Sequence, residues 1–579
     1  MRAARKQPTT WIASVGVSFL FLAIPAAPGV DHPGDASVPK TPVTSVIQLT
    51  HDGVSKTGLL SDESSLYITE MPTGQHMVAK FTLKTAGQST ISSTLANIQA
   101  LDISPDRTRL LVSPIKGGAS EVELWTVPLT EGSISKLGDR FGRDASWSSD
   151  GKRLVFGKGP SLYVANNDGT AERKVFVAEG SVFAPRYAPD GKRIRFTVSN
   201  GGQNATSIWE VGLDGSNPQR VLSSWQYASA ACCGNWTTDG RYYIFQVTQS
   251  APTPVTTLWA MRDTPEKVDT TPVQLTSGPM SFGNASPARD NKTIWAIGVQ
   301  PSAEAVQYDA VKKNFTSILS GVSATDLDFS SDGKWVAYVS VPEGTMWRCR
   351  ADGSERLQLT AAPERVALPH WSPDANQIAY VSMYPDKPSK IALISAKGGA
   401  PIEIIEENRS QIDANWSPDG TQIMFGYLHA AEQIDIRVVN LKTHEVKTVP
   451  GSQGLFSPRW SPNGRYIAAM SPDFTKVMLF DYRTGKWSNW LTEPAGAVSY
   501  PVWSADSTYL YFDDLVTDEE SIRRVKVGAN RTEHVFTLNG IERYPGPFGL
   551  WSGRTPNGIW MFARDHSTQE VYQLSVALP

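Results

Sequence analysis

The chain has 579 residues, 40% of them hydrophobic and 19% charged, so it can bury large cores and is expected to contain two or more domains. Its 54 basic and 57 acidic residues nearly balance, which gives no electrostatic signature of a nucleic-acid partner, and none is expected. The 46 Gly, 39 Pro and 18 Trp favour many short strands joined by turns, as in an all-β protein.

The amino terminus has a composition of its own. Arg2, Arg5 and Lys6 precede an apolar run over residues 11–24, and the small-residue sequence PAAPG follows. This is the layout of a secretory signal, and residues 1–30 would also serve as a membrane anchor if they are not cleaved. Either way, the rest of the chain is predicted to be exported, periplasmic or anchored in the inner membrane, with only this segment touching lipid. Residues 31–44 are rich in Pro, Ser, Thr and Gly and are predicted to form a flexible tether.

Beyond the tether one turn sequence recurs. Its clear copies are SWSSDGKRLVF, RYAPDGKRIRF, NWTTDGRYYIF, DFSSDGKWVAY, HWSPDANQIAY, NWSPDGTQIMF, RWSPNGRYIAA and VWSADSTYLYF. With four weaker copies, the Asp or Asn of the turn stands at positions 62, 106, 150, 190, 239, 290, 332, 374, 419, 463, 506 and 557. The intervals of 40 to 51 residues have the period of a four-stranded propeller blade.

The residues of each copy explain the period. Asp bonds nearby backbone amides and Gly accepts a positive φ, so Asp-Gly joins two strands tightly. A large ring usually stands three positions before the turn, and apolar residues four and six positions after it share one face of the second strand. A third strand and a second turn follow, as in SLYVANNDGTAERKVF, so each unit is predicted to contain four strands.

Twelve units exceed one ordinary ring, so two six-bladed propellers are predicted. Each ring must hide its last sheet edge, commonly by adding a strand from its beginning. The sequence VIQLT at 46–50 is expected to close the first ring by pairing with EAVQYDAV, and FTSILS at 315–320 to close the second. The two propellers are accordingly predicted over residues 45–312 and 313–579.

The repeated W-S-P-D-G turn followed by an apolar strand resembles the propeller repeat of the TolB component of the bacterial Tol envelope system. Segments such as CCGNWTTDGRYYIF and GLFSPRWSPNGRYIAAMS are similar to a TolB-like group often attached to a winged-helix DNA-binding domain and one membrane helix. The resemblance spans residues 45–579 and implies the propeller fold. Few residues precede the apolar segment, so no DNA-binding function is implied.

Motifs of catalysis are not found. The sequence contains no G-x-S-x-G elbow, H-E-x-x-H, C-x-x-C or P-loop, so no catalytic, cofactor-binding or metal residues are assigned and no cofactor is expected. His370 precedes Trp371 in the first strand of its blade and could point into the central channel. A strand histidine hydrogen-bonded by its neighbours is the favoured interpretation.

Two further groups are candidates for chemistry. The acidic residues Asp513, Asp514, Asp518, Glu519 and Glu520 could hold a divalent cation, but their spacing fits no known loop, and a solvated loop is favoured.

The cysteines form the other group. Adjacent Cys232 and Cys233 could form a vicinal disulfide in an oxidising compartment, although two small buried thiols beside Trp236 are favoured. Cys349 is predicted to be a core residue.

Two functions of different classes follow. The favoured one is a non-catalytic binding or sensing protein of the cell envelope, whose propellers bind a protein, peptide or glycan. The alternative is an exported hydrolase or lyase with its site in a central channel. A convergent group of acid, base and nucleophile at one channel mouth would distinguish the enzyme, and the sequence shows none.

Overall fold

The computed structural model of the chain describes residues 42–578 except 73–74, 92, 116–120, 131, 201–204, 250–254, 265–266, 269–270, 385–386, 428–433, 493–497 and 515–519. The described residues form strands, turns and bends, with no helix among them, so the all-β prediction is confirmed. It follows that this part of the chain has no helix suited to crossing a membrane. The predicted signal or anchor over residues 1–30 lies outside the described residues, as does most of the tether.

The first ring consists of six blades, numbered 1 to 6, each an antiparallel sheet. The strand Ser135–Trp147 is shared, because its beginning completes blade 2 and its end opens blade 3. The strands of each blade are given from the innermost outward. Blade 1 contains Lys56–Ser61, Ser65–Glu70, Met77–Thr82 and Gly87–Thr90; blade 2, Ile98–Ile103, Arg109–Pro114, Val122–Pro128 and Ser135–Trp147; blade 3, Ser135–Trp147, Arg153–Lys158, Ser161–Asn166 and Arg173–Val177. Blade 4 contains Ser181–Tyr187, Arg193–Asn200, Ala205–Gly212 and Gln219–Arg220; blade 5, Ala231–Trp236, Tyr242–Gln249, Val255–Thr264 and Val273–Gln274, with Lys267–Val268 beside the third; blade 6, Ser281–Pro287, Thr293–Gln300, Thr568–Val576 and Val43–Gln48.

The second ring consists of blades 7 to 12, each with four antiparallel strands. From the innermost strand outward, blade 7 contains Ala324–Phe329, Trp335–Ser340, Met346–Arg350 and Leu357–Gln358; blade 8, Arg365–Trp371, Gln377–Met383, Lys390–Ser395 and Ile402–Glu403; blade 9, Gln411–Trp416, Gln422–Tyr427, Arg437–Asn440 and Val446–Thr448. Blade 10 contains Phe456–Trp460, Tyr466–Met470, Lys476–Asp481 and Lys486–Thr492; blade 11, Val498–Trp503, Tyr509–Asp514, Ser521–Lys526 and Thr532–Thr537; blade 12, Ser552–Arg554, Trp560–Asp565, Ala303–Asp309 and Asn314–Ser317. The short hairpin Pro545–Gly546 and Gly549–Leu550 precedes blade 12.

Both rings are closed. The innermost strand of every blade contacts that of the next, and blade 1 meets blade 6 as blade 7 meets blade 12. Apolar residues of facing sheets fill the space between blades, for example Tyr380 of blade 8 against Ala337 of blade 7. The predicted twelve blades, with a repeated turn between the first two strands of each, are therefore confirmed.

The predicted closure of the first ring is wrong. The strand Val43–Gln48 pairs with Thr568–Val576, not with Ala303–Asp309, which instead pairs with Trp560–Asp565 in blade 12. The rings thus exchange their third strands, and residues 45–312 and 313–579 are not two separate rings. Neither two-residue link, Pro301-Ser302 or His566-Ser567, contains the Gly, Asn or Asp that favours a two-residue hairpin, which agrees with the continuation of the chain into the other ring. The fourth strand of blade 12, Asn314–Ser317, does include the start of the predicted FTSILS closure.

Side-chain hydrogen bonds explain the recurring S-P-D-G turn. In blade 9 the Ser417 hydroxyl donates to Asp419 Oδ1 at 2.6 Å, and the same carboxylate oxygen accepts the Thr421 amide at 3.1 Å. The Ser417 Oγ also accepts the Gln422 amide at 2.9 Å, and Gly420 has φ 72°. Ser and Asp thus satisfy the turn amides while Gly adopts the left-handed conformation.

The repeated Trp joins each blade to the one before it. The indole Nε1 of Trp371 donates to the carbonyl of Asp328 at 3.0 Å, that of Trp416 to His370 at 2.9 Å, and that of Trp503 to Arg459 at 3.0 Å. Each indole group therefore packs between two blades while its N–H is hydrogen-bonded. The residue immediately before the repeated aromatic residue of each blade consequently lies in the innermost strand, beside the central channel.

Candidate functional site

The channel of the second ring is shaped by bulges in its innermost strands. In blades 7 to 11 the pairing of the first two strands shifts by a residue, and one residue at each shift adopts a positive φ of 44° to 60°. These residues are Asp326, Leu368, Asp413, Ser457 and Tyr500. Because none is glycine, the left-handed conformation is held by the surrounding sheet, a local strain that is frequent at functional sites.

A cavity of about 200 Å³ lies in this channel. Its wall combines carboxylates, a histidine, two arginines and several aromatic rings. The lining includes Asp326, Asp328, His370, Arg459, Tyr500 and Trp503. The site is therefore concave and mixed in polarity, as small-ligand sites commonly are.

Two carboxylates of blade 7 stand in the wall without a cationic partner among the described residues. Asp326, 3% exposed, accepts the Leu368 amide at 3.1 Å, and Asp328 accepts the Trp371 amide at 2.7 Å. Burial raises the pKa of Asp326 to about 6 and that of Asp328 to about 7, against the lowering effect of these amides. Both groups therefore ionise at a higher pH than an ordinary aspartate.

His370 lines the same cavity, so the possibility that it faces the channel is confirmed. Its Nδ1 lies 3.8 Å from Asp328 Oδ2, and its buried Nε2 has no hydrogen-bond partner in the described part of the chain. The favoured interpretation, a histidine hydrogen-bonded by its neighbours, is therefore wrong. Burial and then the charge of Arg459 lower the pKa of His370 to about 4, so the ring is neutral near pH 7.

The other carboxylates near the channel are paired. Asp413 accepts a 2.9 Å bond from Arg459, and fully buried Asp513 accepts a 2.8 Å bond from Arg543. Tyr500 donates its hydroxyl to the Phe548 carbonyl at 3.1 Å, and burial raises its pKa well above the ordinary value. The Tyr500 hydroxyl is therefore held by a backbone carbonyl and not by a base.

The hairpin at residues 545–550 lies across the end of the channel where the innermost strands begin. Phe548 packs against a core cluster of blades 8 and 9 that contains Leu368, while its carbonyl accepts the Tyr500 hydroxyl of blade 11. A Cβ on Gly546 would lie 4.0 Å from Asp326 Oδ1 of blade 7. The hairpin thus contacts blades on several sides of the ring and covers this end.

The predicted acidic cluster is divided by arginines. Asp513 and Glu520 both bind Arg543, and Asp514 binds Arg523 at 2.9 Å, whereas Asp518 and Glu519 lie outside the described residues. The first two aspartates are buried, so the favoured solvated loop does not describe them. The part of the chain that the structure describes contains no group of three metal-ligating side chains.

In the first ring, Arg186 spans part of the channel. Its guanidinium donates to Asn235 Oδ1 at 2.9 Å and to the Leu101 carbonyl at 3.2 Å, which ties blade 4 to blades 5 and 2. A cavity of about 190 Å³ remains, and Cys233 is part of its wall. This arginine is already engaged by the protein, in contrast to Asp326 and Asp328 in the second ring.

Cys232 and Cys233 are joined by a disulfide, so the favoured pair of buried thiols is wrong. The bond lies at the bulge of blade 5, where the Cys233 amide donates to Thr197 Oγ1 at 3.1 Å. Cys349 is buried and unbonded, as predicted, and burial raises its thiol pKa to about 11.

Cysteine labelling checks this pairing. Unfolding without reductant followed by iodoacetamide is expected to modify Cys349 alone, because the other two sulfurs are bonded to each other. Reduction before labelling should raise the count to three, read by peptide mass spectrometry. Modification of all three cysteines without reductant would contradict the disulfide.

A second prediction concerns Asp328 and pH. Its folded-state pKa is raised, so its contribution to stability is present below about pH 4 and is lost as pH rises through 7. The side chain of Asp328→Asn cannot ionise, so the variant does not show this loss. The free energy of unfolding of the variant minus that of the unmodified protein is therefore expected to rise by about 2 kcal/mol between pH 4.5 and pH 8. The value is reduced for screening by solvent in the channel.

Urea unfolding at the two pH values measures the difference. Asp352→Asn is the matched control, because this aspartate lies on an exposed turn of the same blade and hydrogen bonds from Ser354 lower its pKa. Its difference from the unmodified protein should stay constant over this range. The same constancy for Asp328→Asn would disprove the raised pKa.

The sequence identified one member of this site, His370, and missed Asp328, Arg459 and Asp326. The available signal was the residue before each repeated ring, which is Asp328, His370, Asn415, Arg459 and Val502 in blades 7 to 11. Comparing that position across the repeats would have placed a polar set on the channel wall. The carboxylate two positions earlier depends on the bulge and carries no comparable signal.

Comparisons with known proteins give partial matches. No family model matches the chain. An uncharacterized protein of Agrobacterium fabrum is 29% identical over 110 residues, covering 17% of this chain and 38% of that protein. The uncharacterized peptidase YuxL of Bacillus subtilis is 24% identical over 209 residues, covering 34% of this chain and 30% of that protein. The chain thus spans about a third of the length of these curated relatives.

Two solved structures also match in part. A putative TolB from Agrobacterium tumefaciens has a TM-score of 0.38 at 17% identity, covering 46% of this chain and 98% of that one. The tricorn protease has a TM-score of 0.32 at 13% identity, covering 89% and 61%. The strand pairings and repeated turns define this chain as a β-propeller protein with four-stranded blades.

Proposed function

We propose that this chain is a non-catalytic binding or sensing protein of the cell envelope, which takes a segment of a protein, peptide or glycan into the channel of its second ring. The exported location rests on Arg2, Arg5 and Lys6 before the apolar segment. The observation that carries the proposal is a cavity whose wall contains polar groups that the protein itself leaves available, chiefly Asp326, Asp328 and His370.

The contacts of the channel favour binding over catalysis. Arg459 is held by Asp413, Arg543 by Asp513, and Tyr500 by a backbone carbonyl, so each is fixed by a structural partner. Aromatic and proline residues, Trp460, Pro462 and Trp503, form the part of the wall near the turns of blades 10 and 11. Such rigid apolar surfaces beside a few polar groups suit recognition of a ligand.

Filling the channel tests this proposal. Val502 lines the cavity, so Val502→Trp is expected to abolish capture of the envelope ligand by the full chain from envelope extracts, read by mass spectrometry. Val311→Trp is the matched control, since Val311 is 94% exposed on a turn of blade 12 and should leave capture unchanged. Identical captured sets for both variants and the unmodified protein would disprove binding in this channel.

An exported hydrolase is the second candidate, and the partial similarity to a protein named as a peptidase is the observation that favours it. The two functions differ in turnover. We expect the full chain to release no fluorophore from a library of quenched peptides beyond the buffer rate. Turnover that Val502→Trp removes and Val311→Trp retains would establish the enzyme instead.

A further inference from the structure

The second-ring channel has an unequal distribution of charge partners. Of the acidic groups around it, Asp413 is neutralised by Arg459 and Asp513 by Arg543, each within 3 Å. Asp326 and Asp328 have no Arg or Lys within ion-pair distance among the described residues. The charged group that acts on Asp326 is Asp413, a second carboxylate, whose effect is to raise the pKa of Asp326 further. A cation bound beside Asp326 and Asp328 would therefore supply a partner that the protein does not.

Other charged groups in the wall do not fill this role. His370 is neutral near pH 7, and Arg459 is already paired. Arg554 lines both this cavity and the groove outside it; it lies over the ring of Tyr511 at 4.3 Å, donates to the Gly558 carbonyl at 3.0 Å and forms no ion pair with either aspartate among the described residues. None of these groups therefore forms an ion pair with Asp326 or Asp328 of blade 7.

The two carboxylates also have spare acceptor capacity. A carboxylate accepts about four hydrogen bonds. Asp326 receives one from the Leu368 amide and a long one of 3.4 Å from Thr325, and Asp328 receives those of the Trp371 and Phe329 amides. The unpartnered Nε2 of His370 lies on the same wall. Donors of a bound group would therefore find unused acceptors here.

The end of the channel limits the shape of the ligand. The hairpin at 545–550 covers the channel beside Asp326, while the wall continues away from it toward Trp460 and Pro462. A chain that enters from the Trp460 side therefore ends near blade 7 rather than passing through. An end group with three N–H donors and a positive charge meets both requirements.

We propose that the channel of the second ring binds the amino-terminal end of a polypeptide, with the protonated α-amine placed beside Asp326 and Asp328. This inference rests on the proposed binding function and specifies its ligand. The residues after the amine would lie against the aromatic and proline wall formed by Trp460, Pro462 and Trp503. The hairpin excludes a continuous chain and so selects for a terminus.

A peptide pool tests the inference, and the natural partner need not be identified first. Random heptapeptides lacking Lys and Arg are prepared with free and with acetylated α-amines, mixed in equal amounts and incubated with the full chain. The retained peptides are quantified by mass spectrometry. We expect the free-amine form to be retained at least about tenfold over the acetylated form, the effect of a hydrogen-bonded charge.

Substitutions locate the effect. Asp326→Asn keeps the shape and an acceptor for the Leu368 amide but removes the charge, and should abolish the preference for free amines. Asp352→Asn, on the exposed turn of the same blade, should retain it. The comparison of free and acetylated peptides on the unmodified protein stands even if Asp326→Asn fails to fold.

Each alternative outcome overturns the inference. Equal retention of both peptide forms, lost in Val502→Trp, would show that the channel binds peptides without reading the amine, so the proposed function would survive alone. In a second pool, acetylated peptides that carry an internal lysine are compared with the free-amine peptides. Equal retention of the two would show that any cation suffices and that the α-amine is not recognised as such. Retention of no peptide would refute a peptide terminus as the ligand, while capture from envelope extracts would still judge the proposed function.

Discussion

Removing the strand Thr568–Val576 is expected to unfold the first ring and leave the second folded. This strand is the third of blade 6 and is paired on both edges, with Thr293–Gln300 and with Val43–Gln48. Its side chains Val571, Tyr572 and Leu574 are at most 5% exposed, as is Val576. At about 1.5 to 3 kcal/mol each, these four contribute about 6 to 12 kcal/mol, comparable with the whole stability of a domain.

The matched comparison is an internal deletion of residues 43–48, which removes only the strand Val43–Gln48 and leaves the residues before it in place. That strand is outermost, is paired on one edge, and exposes half of Val46 and Ile47, so its loss should cost far less. Thermal melting followed by limited proteolysis, with fragments assigned by mass spectrometry, separates the rings. Equal damage from the two deletions, or loss of the second ring with the first, would contradict the exchange of strands.

The second large effect is expected at Lys56. Its side chain is fully buried at the start of blade 1, and its Nζ contacts Asp52 and, at 3.2 Å, Glu570 of the strand Thr568–Val576. Glu570 also accepts the hydroxyl of Thr50 at 2.5 Å. Lys56→Met leaves Glu570 as an uncompensated buried charge, and a loss of about 3 to 5 kcal/mol in the free energy of unfolding is expected.

Urea unfolding and a double-mutant cycle test this ion pair. Lys56→Met combined with Glu570→Leu should recover part of the loss, because the buried charges are then removed together. Glu63→Gln is the control. Glu63 pairs on the surface of the same ring with Arg107 at 3.2 Å and with Arg289; the three side chains are 39%, 34% and 61% exposed, and the substitution should cost about 1 kcal/mol or less. Additive single effects would show that Lys56 and Glu570 are not coupled.

The two substitutions and the deletions concern the same feature, which is the contact between the beginning and the end of the chain. Lys56 in the first strand of blade 1 and Glu570 in the third strand of blade 6 join neighbouring blades. The first ring therefore depends on residues more than 500 positions apart. Its stability should respond to changes at either terminus, whereas the second ring is closed within residues 303–565.

Much of the fold is determined by local sequence. The S-P-D-G turn forms from bonds among residues at most five positions apart, as between Ser417, Asp419 and Gln422. The repeated Trp and the alternating apolar residues then determine which face of each strand is buried. For these reasons the twelve blades and their grouping into two rings of six were predictable from the repeat.

The tertiary structure alone decided which strand completes which ring and which side chains share a channel. Ala303–Asp309 and Thr568–Val576 both alternate buried and partly exposed residues, so their local patterns do not distinguish the sheet that each one completes. Asp326 and Asp328 meet His370, Tyr500 and Arg459 because ring closure brings distant strands together. Contacts of this kind depend on long-range pairing, which a periodic local pattern does not encode.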